Sequence, residues 1–459
     1  MVKRIIKNFY QKYFLIIIIG IHCILLLSIH FFPYPELFVY PYLRNNGLIP
    51  YKQIFDQHFP GVMFFPLNLD TLGIDSPTEM QIVQLGLVLC THILLFVISR
   101  KLLSKKFLFA PNFLYLMWQP FFEGYVLWID SFMPLFLLSS FYFSISYKKI
   151  SIRKSIFFSG FTLGLALLFK QVLLPLIFVM FLFWLFKTRN VKYLGVYCLG
   201  VLIPVLYLAL YIIKLEVISE FIYWTVTFNV TTFAEFGRKF ASLSDLLKIM
   251  PVFGSAILGS LYLLKIRGAK NILIVLYFTT TLIFAYARFD LVHLQPSLPF
   301  ALIILTITLD RFRKNRTKLL IIYCLISVPL LIYFYKGHLG RKVYFYSDVE
   351  INLSEKVRKY VSKGDTVFAF ATMPHIYSLS DTLPPGRVFV FQFPWFMLEA
   401  EDEILQGIVN NKPKLIVREP LAIADDKILL MYMQNIDKYI KGNYQIQEVS
   451  EGIEFWMKK

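Results

Sequence analysis

The sequence predicts a polytopic α-helical membrane protein of about eleven transmembrane helices, followed by a small α/β domain. Three observations predict this class. Of the 459 residues 57% are hydrophobic, whereas soluble domains are about 45–50% apolar. Long apolar runs alternate with short basic clusters up to residue 336. Beyond that point the apolar runs stop, and strand-like and helical patterns alternate instead.

Eleven apolar runs approach the length of about 20 residues that a helix needs to cross the hydrocarbon core of a membrane. They occupy residues 13–32, 80–99, 107–122, 131–147, 155–169, 172–186, 193–213, 250–264, 271–287, 297–309 and 319–335. The fifth and sixth runs are short, and only Lys170 and Gln171 separate them. Short runs of this kind are typical of broken helices that line a cavity inside a membrane protein.

The basic residues predict the orientation of these helices. Before residue 337, twenty-three of thirty-two Lys and Arg fall into six clusters, at residues 3–12, 100–106, 148–154, 187–192, 265–270 and 311–318. Because positive charge concentrates on the cytoplasmic side, eleven crossings place every cluster inside. We therefore predict an integral protein of the cytoplasmic membrane, with its N-terminus inside and its C-terminal domain outside. Twelve of the thirteen acidic residues in this region lie outside the clusters, and only Asp310 touches one.

The net charge of +18 does not indicate a nucleic-acid partner. Residues 337–459 contain fifteen basic and sixteen acidic residues, so the excess positive charge lies entirely in the membrane part. The four cysteines fall inside apolar runs and predict no disulfide framework. No zinc-binding motif is present, and we predict no structural metal. Whether a divalent ion assists a reaction is left open, and the predicted partners at this point are membrane lipids.

The sequence divides into a transmembrane domain at residues 1–336 and an extracytoplasmic α/β domain at residues 337–459. Alternating strand and helix patterns predict the second domain. The predicted strands are 367–371, 387–393 and 414–419, the predicted helices are 353–362, 398–411 and 425–440, and the chain ends in a hairpin that turns near Glu451 and Gly452.

The first outer loop, residues 33–79, contains the strongest candidate for proton chemistry. Asp56 and His58 lie within NNGLIPYKQIFDQHFPG (45–61), and in an extended segment their side chains would share a face. A carboxylate beside a cavity at the membrane surface could take a proton from an acceptor hydroxyl. The alternative is a set of solvated loop residues, which we prefer for Asp70, Asp75 and Glu79.

Charged residues at the ends of later apolar runs are candidates for substrate binding. A carboxylate so close to hydrocarbon is costly unless it faces a cavity or a partner, which makes Glu123 and Asp130 candidates. Lys170 suits a lipid phosphate, although a lysine that extends to the interface is the alternative. In ARFDLVHLQPSLP (287–299), Arg288 suits a phosphate oxygen, or it pairs with Asp290 instead, and His293 is a weaker candidate.

Three of these segments together resemble bacterial members of the GT-C glycosyltransferases, the polytopic enzymes related to protein O-mannosyltransferases and lipid A aminoarabinose transferases. The segments are GLIPYKQIFDQHFPG after the first run, GLALLFKQ near the fifth run and RFDLVHLQPSLP before a late run. The resemblance covers roughly residues 10–335 and includes the plan of an outer C-terminal domain.

The resemblance implies an enzyme that transfers a sugar from a polyprenyl-phosphate-linked donor to a lipid, glycan or protein acceptor outside the cytoplasm. It implies that an acid of the first outer loop, Asp56 or Glu36, is the catalytic base. It also implies that Lys170 and Arg288 hold the lipid phosphate, and that the loop 214–249 moves over the site. Many relatives carry an Asp-Glu pair where this sequence has Glu36 alone.

A single candidate base, without a second nucleophilic carboxylate, favours inversion at the anomeric carbon. Two other function classes are weighed against the transferase. A lipid or sugar transporter would need ionisable residues near the middle of the membrane, where this sequence offers only His22 and His92. The other class is a non-catalytic member of an envelope assembly complex whose tail binds partners.

Overall fold

The computed structural model describes residues 2–312, 316–371, 373–424 and 426–459. The chain forms two compact units: the first contains residues 1–32, 78–208 and 239–342, and the second contains residues 33–77, 209–238 and 343–459. The structure thus groups two earlier segments with the C-terminal tail. Arg313 and Lys314 of the last basic cluster, and Asp425 at the start of a predicted helix, lie outside the described residues.

The first unit is helical because its sequence consists of apolar runs with short polar interruptions. A helix is present at each of the eleven predicted runs, and the fold class predicted from the sequence is confirmed. The α-helices that lie in this unit or extend from it are Val2–Ser28, Pro77–Leu102, Ala110–Trp118, Ile129–Ile145, Ile152–Leu167, Leu174–Thr188, Val191–Lys214, Leu243–Ile249, Ser255–Ile266, Ala269–Thr281, Phe284–Ala287, Leu298–Arg311 and Arg316–His338.

Several of these helices join through a turn of different pitch. Gln171–Leu173 and Leu291–Leu294 are 3-10 turns, and Pro120–Gly124 and Met250–Gly254 are π-helical. When such joined segments are taken together, six helices of the described residues are long and apolar enough to cross a membrane, and Tyr13–Ser28 and Ile129–Ile145 are shorter apolar helices. The number of eleven crossings stays a prediction.

Glycines allow two helices of the first unit to approach closely. A Cβ atom on Gly160 would lie 2.5 Å from the carbonyl oxygen of Tyr197, and a Cβ on Gly200 would lie 2.4 Å from that of Phe157. Small residues at such crossings are typical of helix packing in membranes, where backbones gain dispersion contacts by approaching one another. The helices Ile152–Leu167 and Val191–Lys214 therefore cross at a fixed place, which also fixes the Lys170 turn after the first of them.

Two interruptions of the helices position charged residues. Lys170 is the extended residue between the helix that ends at Leu167 and the turn Gln171–Leu173, with φ −154° and ψ 120°. Glu123 lies inside the π-helical segment Pro120–Gly124 in a left-handed conformation, with φ 57° and ψ 32°. A non-glycine residue in this region is uncommon and requires support from its surroundings.

The second unit contains a four-stranded sheet. Its spatial order is Val367–Phe370, Leu415–Arg418, Ile453–Lys458 and Tyr444–Ser450. The first two strands are parallel, and the helix Pro394–Asn411 supplies the crossover that parallel strands need. The other neighbours pair in antiparallel fashion. Glu451 and Gly452 both have positive φ at the predicted hairpin turn, as a type I′ turn requires.

Short helices complete the second unit. They are Glu36–Asn45, Ile218–Ile222, Phe228–Val230, Thr232–Phe236, Asp348–Tyr360, Ile376–Ser380, Pro394–Asn411 and Gln434–Asn443, together with the π-helical turn Tyr223–Thr227 and the 3-10 turns Pro385–Arg387 and Leu429–Tyr432. The remaining strands of the chain have two residues each: Phe32–Pro33, Val126–Leu127, Ile423–Ala424 and Lys427–Ile428.

The predicted strand 387–393 is wrong. The edge of the strand Val367–Phe370 is instead satisfied by a side chain, because the Gln392 amide accepts from Ala371 N at 2.6 Å and donates to Ala369 O at 2.6 Å. Phe389 forms only an isolated bridge with Ile54. The predicted helix 425–440 is also wrong in its first half, where Lys427 pairs with Ala424 in a small hairpin.

Candidate active site

Asp56 is a buried carboxylate of the second unit, with only 2% of its surface exposed. Its Oδ2 accepts a hydrogen bond from the Tyr40 hydroxyl at 3.0 Å. Its Oδ1 accepts from the backbone N–H of His58 at 2.7 Å and lies 3.1 Å from His58 Nδ1. Among the described residues, no Lys or Arg forms an ion pair with this carboxylate. Asp56 is therefore held by hydrogen-bond donors and one imidazole.

Local sequence explains this arrangement. Glu36 and Tyr40 are one turn apart in the helix Glu36–Asn45, so their side chains lie on the same face. Asp56 binds the backbone two residues further on, which is the usual behaviour of an aspartate that starts a turn. The sequence predicted that Asp56 and His58 share a face of an extended segment, whereas the structure brings them together through this turn. Tyr40 also stacks on Phe64, with ring centroids 5.4 Å apart.

Glu36 is the second predicted base, and its surroundings differ. It is 6% exposed, and its Oε2 has no hydrogen-bond partner among the described residues. Burial raises the pKa of Glu36 well above its usual range, and the charge of Asp56 raises it further. A carboxyl with a raised pKa keeps its proton to a higher pH than an ordinary glutamate does, so it is less available to accept one. Asp56 is the better candidate for a base.

The predicted lid segment is largely helical and packs beside the Asp56 turn in the second unit. Trp224 stacks on Phe55 with ring centroids 4.8 Å apart. The Asn229 amide donates to the backbone oxygen of Gln57 at 2.9 Å. Phe228 stacks on Phe396 at 5.1 Å. Residues 218–236 therefore cover the neighbours of Asp56, while movement of this segment stays a prediction.

In the first unit, Asp130, Lys170 and His293 form one cluster. Lys170 Nζ lies 2.7 Å from Asp130 Oδ2 and 3.3 Å from His293 Nδ1. His293 Nδ1 lies 2.9 Å from the same Asp130 oxygen. Burial and the charge of Lys170 lower the pKa of His293 below its usual range. The cluster is therefore neutral overall at neutral pH, because one lysine balances one aspartate.

A second cluster of the first unit contains Arg288, Lys239 and Asp290. Arg288 Nε lies 2.8 Å from Asp290 Oδ2, and Lys239 Nζ lies 3.0 Å from Asp290 Oδ1. The predicted pairing of Arg288 with Asp290 is present. Two cations thus contact the same carboxylate, one on each oxygen. Charge-assisted bonds from an arginine suit a phosphate oxygen, so Arg288 stays a candidate for binding a phosphate.

A backbone N–H holds the Glu123 carboxylate, and three buried glutamines hold the backbone on either side of it. Its Oε2 accepts from Val292 N at 2.8 Å. Gln84 and Gln119 donate to Gly124 O at 2.7 and 3.1 Å, and Gln295 donates to Phe122 O at 2.5 Å. The carbonyls on both sides of Glu123 are thus fixed, which stabilises its left-handed backbone. Burial raises the pKa of Glu123 to about 7.

The predicted site residues fall into separate groups. Glu36, Asp56 and His58 belong to the second unit, and the other five belong to the first unit. Sequence reasoning missed several partners of these residues: Tyr40, Gln84, Gln119, Lys239 and Gln295. Of these partners only Tyr40 could have been found from the sequence, because it lies four residues after Glu36 and would share its face of a helix.

Comparison with solved structures identifies the fold. The chain is similar to ArnT from Cupriavidus metallidurans bound to undecaprenyl phosphate, with a TM-score of 0.67 and 10% identity over 97% of both chains. It has the fold of the GT-C glycosyltransferases. It is also similar to the oligosaccharyltransferase AglB from Archaeoglobus fulgidus in complex with an inhibitory peptide and a dolichol-phosphate. There the TM-score is 0.55 and the identity 11%, over 98% of this chain and 75% of AglB.

No protein-family model and no curated protein sequence matches the chain. A further similar structure is an A. fulgidus oligosaccharyltransferase in complex with Zn and sulfate, with a TM-score of 0.51 and 10% identity over 88% of this chain and 68% of that one. In the part of this chain that the structure describes, no three His, Cys, Asp or Glu residues are grouped to hold a metal ion.

Proposed function

We propose that the protein is a membrane glycosyltransferase that moves a sugar from a polyprenyl-phosphate-linked donor to an acceptor on the extracytoplasmic side. The observation that carries the proposal is the shared fold, over 97% of both chains, with ArnT bound to undecaprenyl phosphate. Acidic and basic side chains of the chain are proposed to supply the base and the cations for this reaction. The donor class is a hexosyl or pentosyl phosphodiester of a polyprenol.

In the proposed reaction, an acceptor hydroxyl loses its proton as its oxygen bonds to the anomeric carbon. The bond from that carbon to the phosphate oxygen breaks, and the electron pair leaves with the polyprenyl phosphate. Two demands follow: a base for the proton, and cations for the charge that develops on the phosphate. With a single base and direct displacement, the anomeric configuration inverts.

Asp56 is proposed as the base, and Tyr40 is proposed to orient it. His58, which contacts Asp56, is proposed to bind the substrate. Arg288, supported by Lys239, is proposed to hold the departing phosphate. Lys170 and Asp130 are proposed to position His293 and the turn that carries it, because their charges balance each other. Glu36 is proposed to stay protonated beside Asp56.

The test is a transfer assay in proteoliposomes that contain hexosyl- or pentosyl-phosphoundecaprenol, with a membrane extract as the source of acceptors. We expect the wild-type protein to release undecaprenyl phosphate and to transfer labelled sugar. We expect Asp56→Asn to reduce the rate by roughly 10²–10⁴-fold, the usual contribution of a positioned base. Asp75→Asn, an exposed carboxylate of the same loop, is the matched control and should keep the rate.

Full transfer by a folded Asp56→Asn variant would remove Asp56 from the mechanism. Movement of the donor lipid across the bilayer by the wild-type protein, without sugar transfer, would favour a transporter. The configuration of the product at the anomeric carbon tests inversion separately, because retention would require a second nucleophile.

A further inference from the structure

A cavity of about 800 Å³ lies within the first unit, next to Glu123. Its wall includes Leu247 and the aromatic side chains of Tyr333 and Phe334, and Lys248 and Lys336 also line it. The volume is in the range of sites that bind small molecules, which combine an apolar wall with a few polar groups. Neither the proposed base nor the proposed phosphate cation lines this cavity.

The apolar wall belongs to helices that are suited to a membrane. Leu247 lies on the segment Leu243–Ile266, and Tyr333 lies on Arg316–His338. Leu247 is 60% exposed and Tyr333 is 82% exposed. Exposed apolar side chains on membrane-spanning helices face acyl chains. A ligand that reaches this cavity from the lipid is therefore expected to be an amphiphile.

The charged lining indicates the sign of its headgroup. Lys336 lies at the end of its helix and makes no hydrogen bond or ion pair with any residue that the structure describes. Lys248 has a partly exposed partner on its own helix, Asp245, at 3.2 Å. His338 donates from Nδ1 to Phe334 O at 2.8 Å and stacks on that ring at 4.1 Å. Lysines at the end of a span attract anionic lipid headgroups.

Glu123 adds a carboxyl group to a lining that otherwise favours anions. Its backbone is held in a strained conformation by the three glutamines described above, and strain of this kind clusters at functional sites. Burial raises the pKa of Glu123 to about 7, so below that pH the carboxyl is neutral and can donate a hydrogen bond. Above that pH it repels an anion, and the ligand and a proton therefore bind together.

We propose that this cavity binds the phosphate headgroup of an anionic membrane glycerophospholipid, with Lys248 and Lys336 facing the phosphate and Glu123 donating to it. The acyl chains lie along Leu247 and Tyr333. Neither Asp56 nor Arg288 lines the site. It goes beyond the proposed transferase function, because lipid can occupy it without turnover.

The experiment measures lipids retained by the purified full-length protein, by native mass spectrometry after incubation with phosphatidylglycerol or with phosphatidylcholine. We expect retention of phosphatidylglycerol alone. We expect Lys336→Ala with Lys248→Ala to weaken that retention about 30-fold, since each lysine near an anionic headgroup contributes roughly 1 kcal/mol. Lys318→Ala, at the opposite end of the same helix, is the matched control and should change nothing.

Two further variants test the geometry. Leu330→Trp places a larger side chain in the cavity lining and should abolish retention while the protein stays folded. Phosphatidylglycerol keeps one charge across neutral pH, so its retention by the wild-type protein should fall as pH rises through about 7. Glu123→Gln should remove that dependence, whereas His338→Gln should preserve it. Asp290, Lys239, Lys248, Lys336, His338, Tyr125 and Tyr333 are the other charged or titratable groups of the described residues that act on or line the Glu123 site.

Several results would overturn the proposal. One is equal retention of the two lipids, and another is unchanged retention in the double lysine variant. Retention of inorganic phosphate in place of lipid would show an anion site without lipid selectivity. Lysine-dependent retention of undecaprenyl phosphate but not of phosphatidylglycerol would assign the cavity to the donor lipid. Lipid retention is measured without a donor sugar, so it tests the cavity independently of the proposed sugar transfer.

Discussion

Asp56 and Asp130 are both buried aspartates, with 2% and 0% of their surfaces exposed, but their partners differ. Asp130 lies 2.7 Å from the ammonium group of Lys170. Asp56 is held by a tyrosine hydroxyl, a backbone N–H and an imidazole. A buried carboxylate paired with a lysine is stable as an anion and has little tendency to take a proton. Asp56 has no lysine or arginine partner among the described residues, so no fixed cation neutralises its charge.

The comparison shows that burial and proximity to the membrane do not by themselves identify a catalytic acid. Both aspartates lie in segments rich in aromatic residues, Asp56 within the first outer loop and Asp130 just before an apolar run. The presence of a full positive charge within hydrogen-bond distance separates them. We therefore assign chemistry to Asp56 and a positioning role to Asp130, and the following experiments test that difference.

The largest expected effect concerns the pair of Asp130 and Lys170. Asp130→Ala leaves the Lys170 ammonium buried without its partner, which costs about 3–5 kcal/mol in comparable buried pairs. We expect a clear fall in the thermal unfolding midpoint. Replacing both residues, as Asp130→Leu with Lys170→Met, should restore much of that loss. Asp290→Ala removes a partly exposed pair and is the control, with a loss of about 1 kcal/mol or less. Equal midpoints for Asp130→Ala and Asp290→Ala would contradict the assigned role.

The next effect is the pH dependence of stability due to Glu123. Its pKa is about 7 in the folded protein, above the ordinary value of about 4.5, so the folded state binds more protons between those values. Stability is therefore greatest below about pH 4.5, falls as pH rises towards 7 and is then constant, with a total change of up to about 3 kcal/mol. Glu123→Gln should remove this contribution in unfolding curves measured across that window. An unchanged pH profile in the variant would mean that another group titrates.

The third effect concerns the role of Arg288 in catalysis. Arg288→Ala removes a cation that the account places on the leaving phosphate, and the rate of transfer at saturating donor should fall about 10²-fold, or about 2.7 kcal/mol. The unfolding midpoint should change little, because Arg288 pairs with a partly exposed aspartate. A normal rate in this variant would leave the phosphate role without its proposed residue.

The smallest effect concerns the tyrosine that orients Asp56. Tyr40→Phe removes the hydrogen bond to Asp56 Oδ2, and a bond of this kind contributes about 1 kcal/mol, so the rate of transfer should fall about fivefold. Tyr42→Phe, in the same helix, removes a bond to the backbone oxygen of Thr382 at 3.1 Å and is the control. If both variants lose the same activity, the effect is one of stability alone.

Much of the fold was predictable because hydrophobicity and charge are local signals. The apolar runs predicted the helices, and the pattern near Glu451 and Gly452 predicted the final hairpin. The strand 387–393 was not predictable, because the Gln392 side chain replaces a neighbouring strand at the sheet edge. Local propensity carries no information about such a substitution.

The site was predictable in its members but not in their pairing. Asp56 and His58 are two residues apart, so their contact follows from a local turn. Asp130, Lys170 and His293 are separated by 40 to 163 residues, and their contact depends on how helices pack. The glutamines around Glu123 carry no sequence signal at all, since isolated amides in apolar runs have many possible partners.

The central claim is tested most directly by comparing Asp56→Asn with Asp130→Asn, with sugar transfer and thermal unfolding measured on the same preparations. The account predicts that Asp56→Asn loses transfer while its unfolding midpoint stays near that of the wild-type protein. For Asp130→Asn, we predict a lower midpoint and, after correction for the folded fraction, a much smaller loss of transfer than for Asp56→Asn. Transfer at the wild-type rate by Asp56→Asn, with an unchanged midpoint, would contradict the account.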